Sequence, residues 1–261
     1  MPLSAPIQNI PELVLSVAHA YTQLTARSAD PESGLAGSFF YAGQLDDAGR
    51  ALVVAANIAG AATLAASADR TAQKQAIREG IADFLVTSLD EALRILKNQL
   101  RKRETVAVCV AMEPAAMERA MRERGVLPHL LRSDLPVAAD SASLHFDASV
   151  TDAADSADAP ALVVWRVDSG RHKDLALLDE AALACLSADQ WAAQRWLRLA
   201  PRYLGRLAQG LRLLLADRAF ASRFAKESQS RVDRGLIAFP CELCVYTRGK
   251  EEKYRLTPKK S

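Results

Sequence analysis

The stretch ADFLVTSLDEALRILKNQLRKRETVAVCVA, residues 82–111, decides the fold class because it has the pattern of strand, helix and strand in succession. The apolar run Ile81–Thr87 predicts one strand, and Thr105–Ala111 predicts the next. Between them, Ser88 and Glu91 have the spacing of a capping box, which satisfies free N–H groups where a helix begins. Leucines then recur every three or four positions, as on one face of a helix. This order is typical of a βαβ unit with parallel strands.

The same alternation extends in both directions along the chain. Upstream, the run Ala51–Ala56 predicts a buried strand, and Arg70–Gly80 predicts a helix that stops at its glycine. Downstream, Pro114–Gly125 predicts a helix and Val126–Leu131 a short strand. Continuous apolar strands are typical of a parallel sheet covered on both faces. We therefore predict an α/β fold with a doubly wound, mostly parallel Rossmann-like sheet and helical N- and C-terminal additions.

Charge and composition divide the chain into four predicted segments. These are a helical N-terminal segment at 1–45, a Rossmann-like core at 46–132, an acidic linker or insertion at 133–160, and a final strand with a basic helical region at 161–261. The linker holds six aspartates and no Lys or Arg. From Arg195 to the end, 16 Lys and Arg residues face 6 Asp and Glu residues. An acidic connector thus precedes a basic region, within a formal net charge of +2.

The C-terminal segment has a weaker pattern. Ala161–Val167 predicts one more strand, and residues 188–217 predict a helix with a break near Pro201. The last stretch, Thr247–Ser261, is strongly charged and predicts a frayed, solvated end. We expect no internal repeat.

Several observations predict a cytoplasmic location. The N-terminus has no basic region before an apolar core, so it does not resemble a secretory signal. No apolar run is long enough to predict a membrane span. The four cysteines include two isolated within apolar patterns, as buried free thiols would be, and this favours a reducing compartment.

The block Ala82–Leu131, with its LDEAL helix and its RGV-P step, resembles the central Rossmann-like domain of urocanase (urocanate hydratase). Upstream, Ala48–Ala61 resembles the family's Gly-rich first strand and turn. The resemblance spans residues 48–131, about a third of the chain. It implies an NAD held as an electrophile that assists the addition of water to a small unsaturated ring acid.

The sequence also departs from the family. Where the family's turn has a GLGGM-GAQ pattern, the matched positions Ala56–Ala62 contain one glycine. A DQTSAHD segment follows the RGV-P step in the family, whereas this chain has RSDLPVAADSASLHFD. The cysteine-containing part of the family's active site has no counterpart. The resemblance therefore implies a urocanase-type core without the complete hydratase active site, and no catalytic residue is assigned.

Three residues are candidates for binding NAD or a related nucleotide. Gly60 would let a phosphate approach the turn, and the Asn57 amide would point toward it. Asp69 would accept a hydrogen bond from a ribose hydroxyl, although it would equally well cap the helix that begins at Arg70. The alternative is a plain connection between a strand and a helix.

Two other features suggest rival functions. Cys241 and Cys244 have a spacing that chelates zinc or forms a redox pair, but no second pair of ligands follows. A row of arginines, comprising Arg195, Arg198, Arg202 and Arg206, would suit a protein or other anionic partner, or would be a solvated helical face. The rival hypotheses are a noncatalytic interaction or assembly protein that uses the arginines and, as a weaker alternative, a zinc or redox protein.

Overall fold

The computed structural model describes residues 10–26, 30–132, 144–146, 161–168, 170–247 and 250–258. The chain divides into two units. The N-terminal unit comprises Glu12–Thr151 and Arg202–Leu207, and the C-terminal unit comprises Met1–Pro11, Asp152–Pro201 and Ala208–Ser261. The four-segment division stays a prediction, and most of the acidic linker at 133–160 lies outside the described residues.

A six-stranded sheet with parallel pairing throughout forms the centre of the N-terminal unit. Its strands are β1 (Phe39–Gln44), β2 (Ala62–Ala66), β3 (Phe84–Val86), β4 (Val106–Val110), β5 (Leu130–Arg132) and β6 (Leu144–Phe146). Its helices are α1 (Glu12–Thr25), α2 (Asp47–Ala59), α3 (Arg70–Glu79), α4 (Leu89–Lys102) and α5 (Pro114–Glu123). The strand order is β3-β4-β2-β1-β5-β6, so β2, β4 and β3 lie on one side of β1, and β5 and β6 lie on the other. The predicted doubly wound, Rossmann-like α/β fold is confirmed.

Helices cover both faces of this sheet. On one face, α4 and α5 pack on alternate residues of the strands in a cluster that includes Leu64, Val108, Leu96 and Met117. On the other face, α2 packs against β1, β2 and β4, and α1 packs against α2. Helix α2 is therefore covered from both sides, and every residue from Ala51 to Ala59 is buried.

The prediction of a strand at Ala51–Ala56 was wrong, because these residues lie inside α2. A helix that is covered on both sides is apolar all round, so it loses the 3.6-residue alternation that identifies a surface helix. The short apolar run that remains is indistinguishable from a buried strand. The first strand, β1, lies instead upstream of residue 46.

The described part of the C-terminal unit contains a four-stranded antiparallel sheet and three α-helices. Its elements are β7 (Ala161–Val167), α6 (Leu175–Ala184), α7 (Trp191–Leu204), β8 (Leu211–Ala216), α8 (Arg218–Asp233), β9 (Cys241–Thr247) and β10 (Lys250–Leu256). The strand order in the sheet is β10-β9-β7-β8. The last residues of α7, 202–204, are assigned to the N-terminal unit.

Two predictions for this region were wrong. Residues 211–216 form β8 rather than the end of a helix, after a 3-10 turn at Gly205–Ala208 and a left-handed Gly210. The end of the chain is not frayed up to Leu256, because β10 pairs with β9 from Lys250 onward. The charged side chains of β10 hid its strand pattern, as is common for an edge strand. In the part of the chain that the structure describes, no helix is long and apolar enough to cross a membrane.

Candidate functional site

Open parallel sheets bind ligands at the carboxyl ends of their strands, at the point where the strand order reverses. In this sheet that point lies between β1 and β5, which are neighbours although the chain visits β2, β3 and β4 between them. The residues that follow β1 and those that end β5 therefore form the candidate site.

Two glycines shape the turn between β1 and α2. Gly43 has a φ of 72°, in the left-handed region that favours glycine. A Cβ atom on Gly49 would lie 1.9 Å from the carbonyl oxygen of Gln44. The first turn of α2 thus passes so close to the end of β1 that only glycine fits. In a dinucleotide-binding turn, one glycine allows this close packing of strand and helix, and another lets the backbone approach the pyrophosphate. Gly49 has the packing role, which we call that of a scaffold glycine.

The N-terminus of α2 is capped by a carboxylate of the chain itself. Asp46 Oδ1 accepts a hydrogen bond from the Gly49 N–H at 2.7 Å. The same oxygen accepts from Arg132 Nη1, at the end of β5, at 2.8 Å. Asp47 adds a second acidic residue in the first turn. Because a helix N-terminus carries a partial positive charge, the Asp46 carboxylate occupies the position that would attract an external anion, and Asp47 adds a negative charge to the same turn.

The structure does not bring together the three predicted nucleotide-binding residues. The Asn57 side chain is buried, and its Oδ1 lies 3.2 Å from the Thr63 hydroxyl. Gly60 ends α2 in a left-handed conformation, and its N–H donates to the carbonyl of Ala56 at 2.9 Å. Both residues lie toward the C-terminal end of α2, about 15 Å (Asn57) and about 20 Å (Gly60) along the helix from its first residue. The turn at Gly60 leads from a helix into a strand, so it is not the turn that was predicted.

Asp69 alone of the three lies at the carboxyl edge of the sheet. It follows β2, is exposed, and caps α3 by accepting a hydrogen bond from the Thr71 N–H at 2.7 Å. Its own N–H donates to Ser67 Oγ at 3.2 Å, and Gln73 Nε2 donates to the Ser67 carbonyl at 2.6 Å. The capping role considered from the sequence is present, and the ribose-binding role stays a prediction.

One buried pair of ionisable groups lies beneath this edge. Tyr41 of β1 is fully buried, and Glu118 of α5 is 4% exposed. Burial, reinforced by the Glu118 carboxylate, raises the pKa of the Tyr41 phenol. The phenol therefore stays protonated, and its burial keeps it from acting as a surface acid or base.

The cysteines of the C-terminal unit do not form a chelating pair. Cys241 and Cys244 both lie in β9, three positions apart, so their side chains point to opposite faces of the sheet. Both are buried, and burial raises the pKa of each thiol to about 11. Among the described residues, no group of three or more His, Cys, Asp or Glu side chains could hold a metal ion. The geometry gives no support to the zinc or redox hypothesis.

The predicted arginine row is only partly regular. Arg195, Arg198 and Arg202 lie in α7, whereas Arg206 lies in the 3-10 turn that follows. Arg195 is half-buried, and the other three are exposed.

The fold and the turn together define the class of protein: an α/β protein with a Rossmann-type domain whose scaffold glycines are present. The sequence model of one family, described as the urocanase Rossmann-like domain, matches residues 18–151, just over half of the chain. The chain belongs to this family.

The position of β1 corrects the alignment proposed from the sequence. The Gly-rich turn of the family follows its first strand, and here the first strand is β1. The corresponding turn is therefore Gly43–Gly49, not Ala56–Ala62. The sequence analysis missed it, although the aromatic run Phe39–Tyr41 before Gly43, and Asp46 as an N-cap residue, were available signals.

Proposed function

We propose that this chain is a noncatalytic member of the urocanase family, in which the Rossmann-type core is a scaffold for binding a partner. The observation that carries the proposal is the Asp46–Arg132 ion pair at the N-terminus of α2. The turn keeps the glycines that let helix and strand pack closely, and places Gln44, Leu45, Asp46 and Asp47 between them. The turn therefore keeps the glycines that allow close packing, but the residues between them are not the glycines that let a backbone approach a phosphate.

The residues present do not fit the pyrophosphate of NAD at this position. A bound pyrophosphate would lie beside the carboxylates of Asp46 and Asp47, and like charges at close range repel. The Gly49 N–H, which would donate to a phosphate oxygen, already donates to Asp46. Leu45 is buried in the same turn. We therefore derive no reaction step through NAD, although the family resemblance implies that cofactor.

The sequence supports a role without hydratase chemistry. After Arg132, where the family has its DQTSAHD segment, the chain has a different sequence. The buried Tyr41–Glu118 pair is closed off from a substrate. Activity as a lyase of the urocanase type is accordingly not part of the proposed function.

One observation favours NAD or nucleotide binding as the competing function. Asp69 is exposed and lies at the end of β2, where dinucleotide-binding folds place an acidic residue for the ribose. One hydrogen bond from a ribose hydroxyl to Asp69 does not offset the repulsion of a pyrophosphate by the two carboxylates at the start of α2.

A thermal melt with and without about 5 mM NAD tests the proposal. A ligand at about one hundred times its Kd stabilises by about 2.7 kcal/mol, which would raise the Tm by about 5 to 10 °C for a protein of this size. We expect no increase in Tm. An increase that the Asp69→Asn variant removes would overturn the proposal in favour of nucleotide binding.

A further inference from the structure

A concentration of positive charge covers one surface of the N-terminal unit, away from the α2 turn. We call it the basic surface, and it consists of Arg94, Lys97, Arg101, Lys102, Arg202 and Arg206. All six residues are exposed. The first four lie on α4, and the last two lie in the Arg202–Leu207 segment that belongs to the same unit.

The α4 part of the basic surface is a regular row. Arg94, Lys97 and Arg101 lie within about 60° of one another around the helix and span about 10 Å along it. They lie opposite Ala92 and Leu96, which are buried against the sheet. The row therefore points outward, where a partner can reach all three side chains at once.

A hydrogen bond joins the two parts of the surface. The Tyr203 hydroxyl lies 3.0 Å from Thr105 Oγ1, and Thr105 follows shortly after the end of α4. The Arg202 guanidinium lies 5.5 Å from the centroid of the Tyr203 ring. This anchored tyrosine holds the second group of cations beside the C-terminal turn of α4.

The carboxylates of the described residues neutralise little of this charge. Within the described residues, no carboxylate lies within ion-pair distance of five of these cations, which are Arg94, Lys97, Arg101, Arg202 and Arg206. Lys102 has only Glu104, at 4.0 Å. Cations in the last turn of a helix are favoured by its dipole, which accounts for Arg101 and Lys102. It does not account for Arg94 and Lys97, which lie farther from the helix end.

We infer that the basic surface binds the phosphate backbone of a nucleic acid strand. Closely spaced cations, five of which have no carboxylate of the described residues within ion-pair distance, suit a regular row of phosphates. A membrane-binding surface would also present apolar anchors, and the centre of a protein interface would be depleted in charge. None of the large exposed apolar side chains of the described residues belongs to α4 or to Arg202–Leu207; they are Ile77, Phe84, Leu85, Leu127, Leu177, Leu236 and Tyr254.

The test is a titration of the full chain with a fluorescein-labelled oligothymidylate of about 30 nucleotides, at several salt concentrations. We expect binding that weakens as salt rises, because each phosphate contact to a single strand contributes about 0.7 to the slope of log K against log salt. The triple variant Arg94→Gln/Lys97→Gln/Arg101→Gln should reduce that slope by about 2. Glutamine keeps the helix propensity, and circular dichroism checks the fold.

The matched control removes the same charge from another exposed helix. Arg70→Gln/Lys74→Gln/Arg78→Gln changes α3, whose three cations are also exposed, and should leave the slope unchanged. Three results would overturn the inference: no binding at about 50 mM salt, equal losses in both triple variants, or tighter binding to phosphatidylserine vesicles than to the oligonucleotide.

This inference rests on the proposed function, because it names the partner that the scaffold binds. A different experiment tests each of the two proposals, so the failure of one is distinguishable from the failure of the other. The NAD melt decides whether the α2 turn holds a dinucleotide. The oligonucleotide titration decides whether the basic surface binds phosphate backbone. A protein that bound both ligands would overturn only the noncatalytic proposal.

Discussion

Replacing Asp46 with alanine would remove two interactions at the start of α2. The first is the N-cap hydrogen bond to Gly49, whose loss costs about 1 kcal/mol. The second is the ion pair with Arg132, whose guanidinium is 11% exposed while the Asp46 side chain is 39% exposed. Because water screens the exposed carboxylate, we assign this pair about 0.5 to 1 kcal/mol. The expected loss is therefore about 1.5 to 2 kcal/mol.

Hydrogen exchange of α2, followed by mass spectrometry, measures this loss where it occurs. A loss of this size would raise the exchange rate of amides that open locally by about tenfold or more. The matched variant Asp46→Asn keeps an oxygen that caps the helix and removes only the charge. It should lose about 0.5 to 1 kcal/mol, the part assigned to the ion pair.

The comparison of the two variants can refute the reasoning. If Asp46→Ala leaves exchange in α2 unchanged, the carboxylate does not cap the helix, and the N-terminus of α2 is available to an external anion. If Asp46→Asn costs as much as alanine, the ion pair and not the cap stabilises the turn.

Two further predictions concern packing and thiols. Gly49→Ala should lower the free energy of unfolding by about 3 kcal/mol or prevent folding, because its Cβ would lie 1.9 Å from the Gln44 oxygen. The control Gly80→Ala, which has open space at φ 73°, should lower it by about 1 kcal/mol in the same urea denaturation. Similar losses in the two variants would contradict the close approach at α2. Iodoacetamide at about pH 8 should label the partly exposed Cys185 first. Burial raises the pKa of Cys109, Cys241 and Cys244 to about 11, so about one in a thousand of these thiols is a thiolate at that pH. Mass spectrometry after digestion identifies the labelled sites, and early labelling of Cys244 would contradict its burial.

The elements predicted correctly from the sequence are those with local signals at their ends. Ser88 accepts a hydrogen bond from the Glu91 N–H at 3.3 Å, as the capping box predicts. Gly80 ends α3 in a left-handed conformation, and Pro114 begins α5. Caps depend on residues only a few positions apart, so one sequence is enough to find them.

The elements that the sequence analysis missed depend on what packs around them. Helix α2 has no polar face because α1 and the sheet cover it, and that arrangement is tertiary. Mistaking α2 for a strand moved the expected Gly-rich turn from Gly43–Gly49 to Ala56–Ala62. The Asp46–Arg132 pair joins residues from two distant strand ends, which only the folded sheet brings together. The candidate site was therefore misplaced although the fold class was right.

The short segment Arg202–Leu207 has a consequence for the order in which the molecule can be made. It belongs to the N-terminal unit although it follows much of the C-terminal unit along the chain. During synthesis, the Rossmann-type unit is thus incomplete until this segment has left the ribosome, long after β5 is available to pair. A fragment cut at residue 151 would lack Tyr203 and leave Thr105 without that hydrogen bond. A fragment with every residue of this unit therefore needs residues 202–207 joined to it in another way, such as a circular permutation.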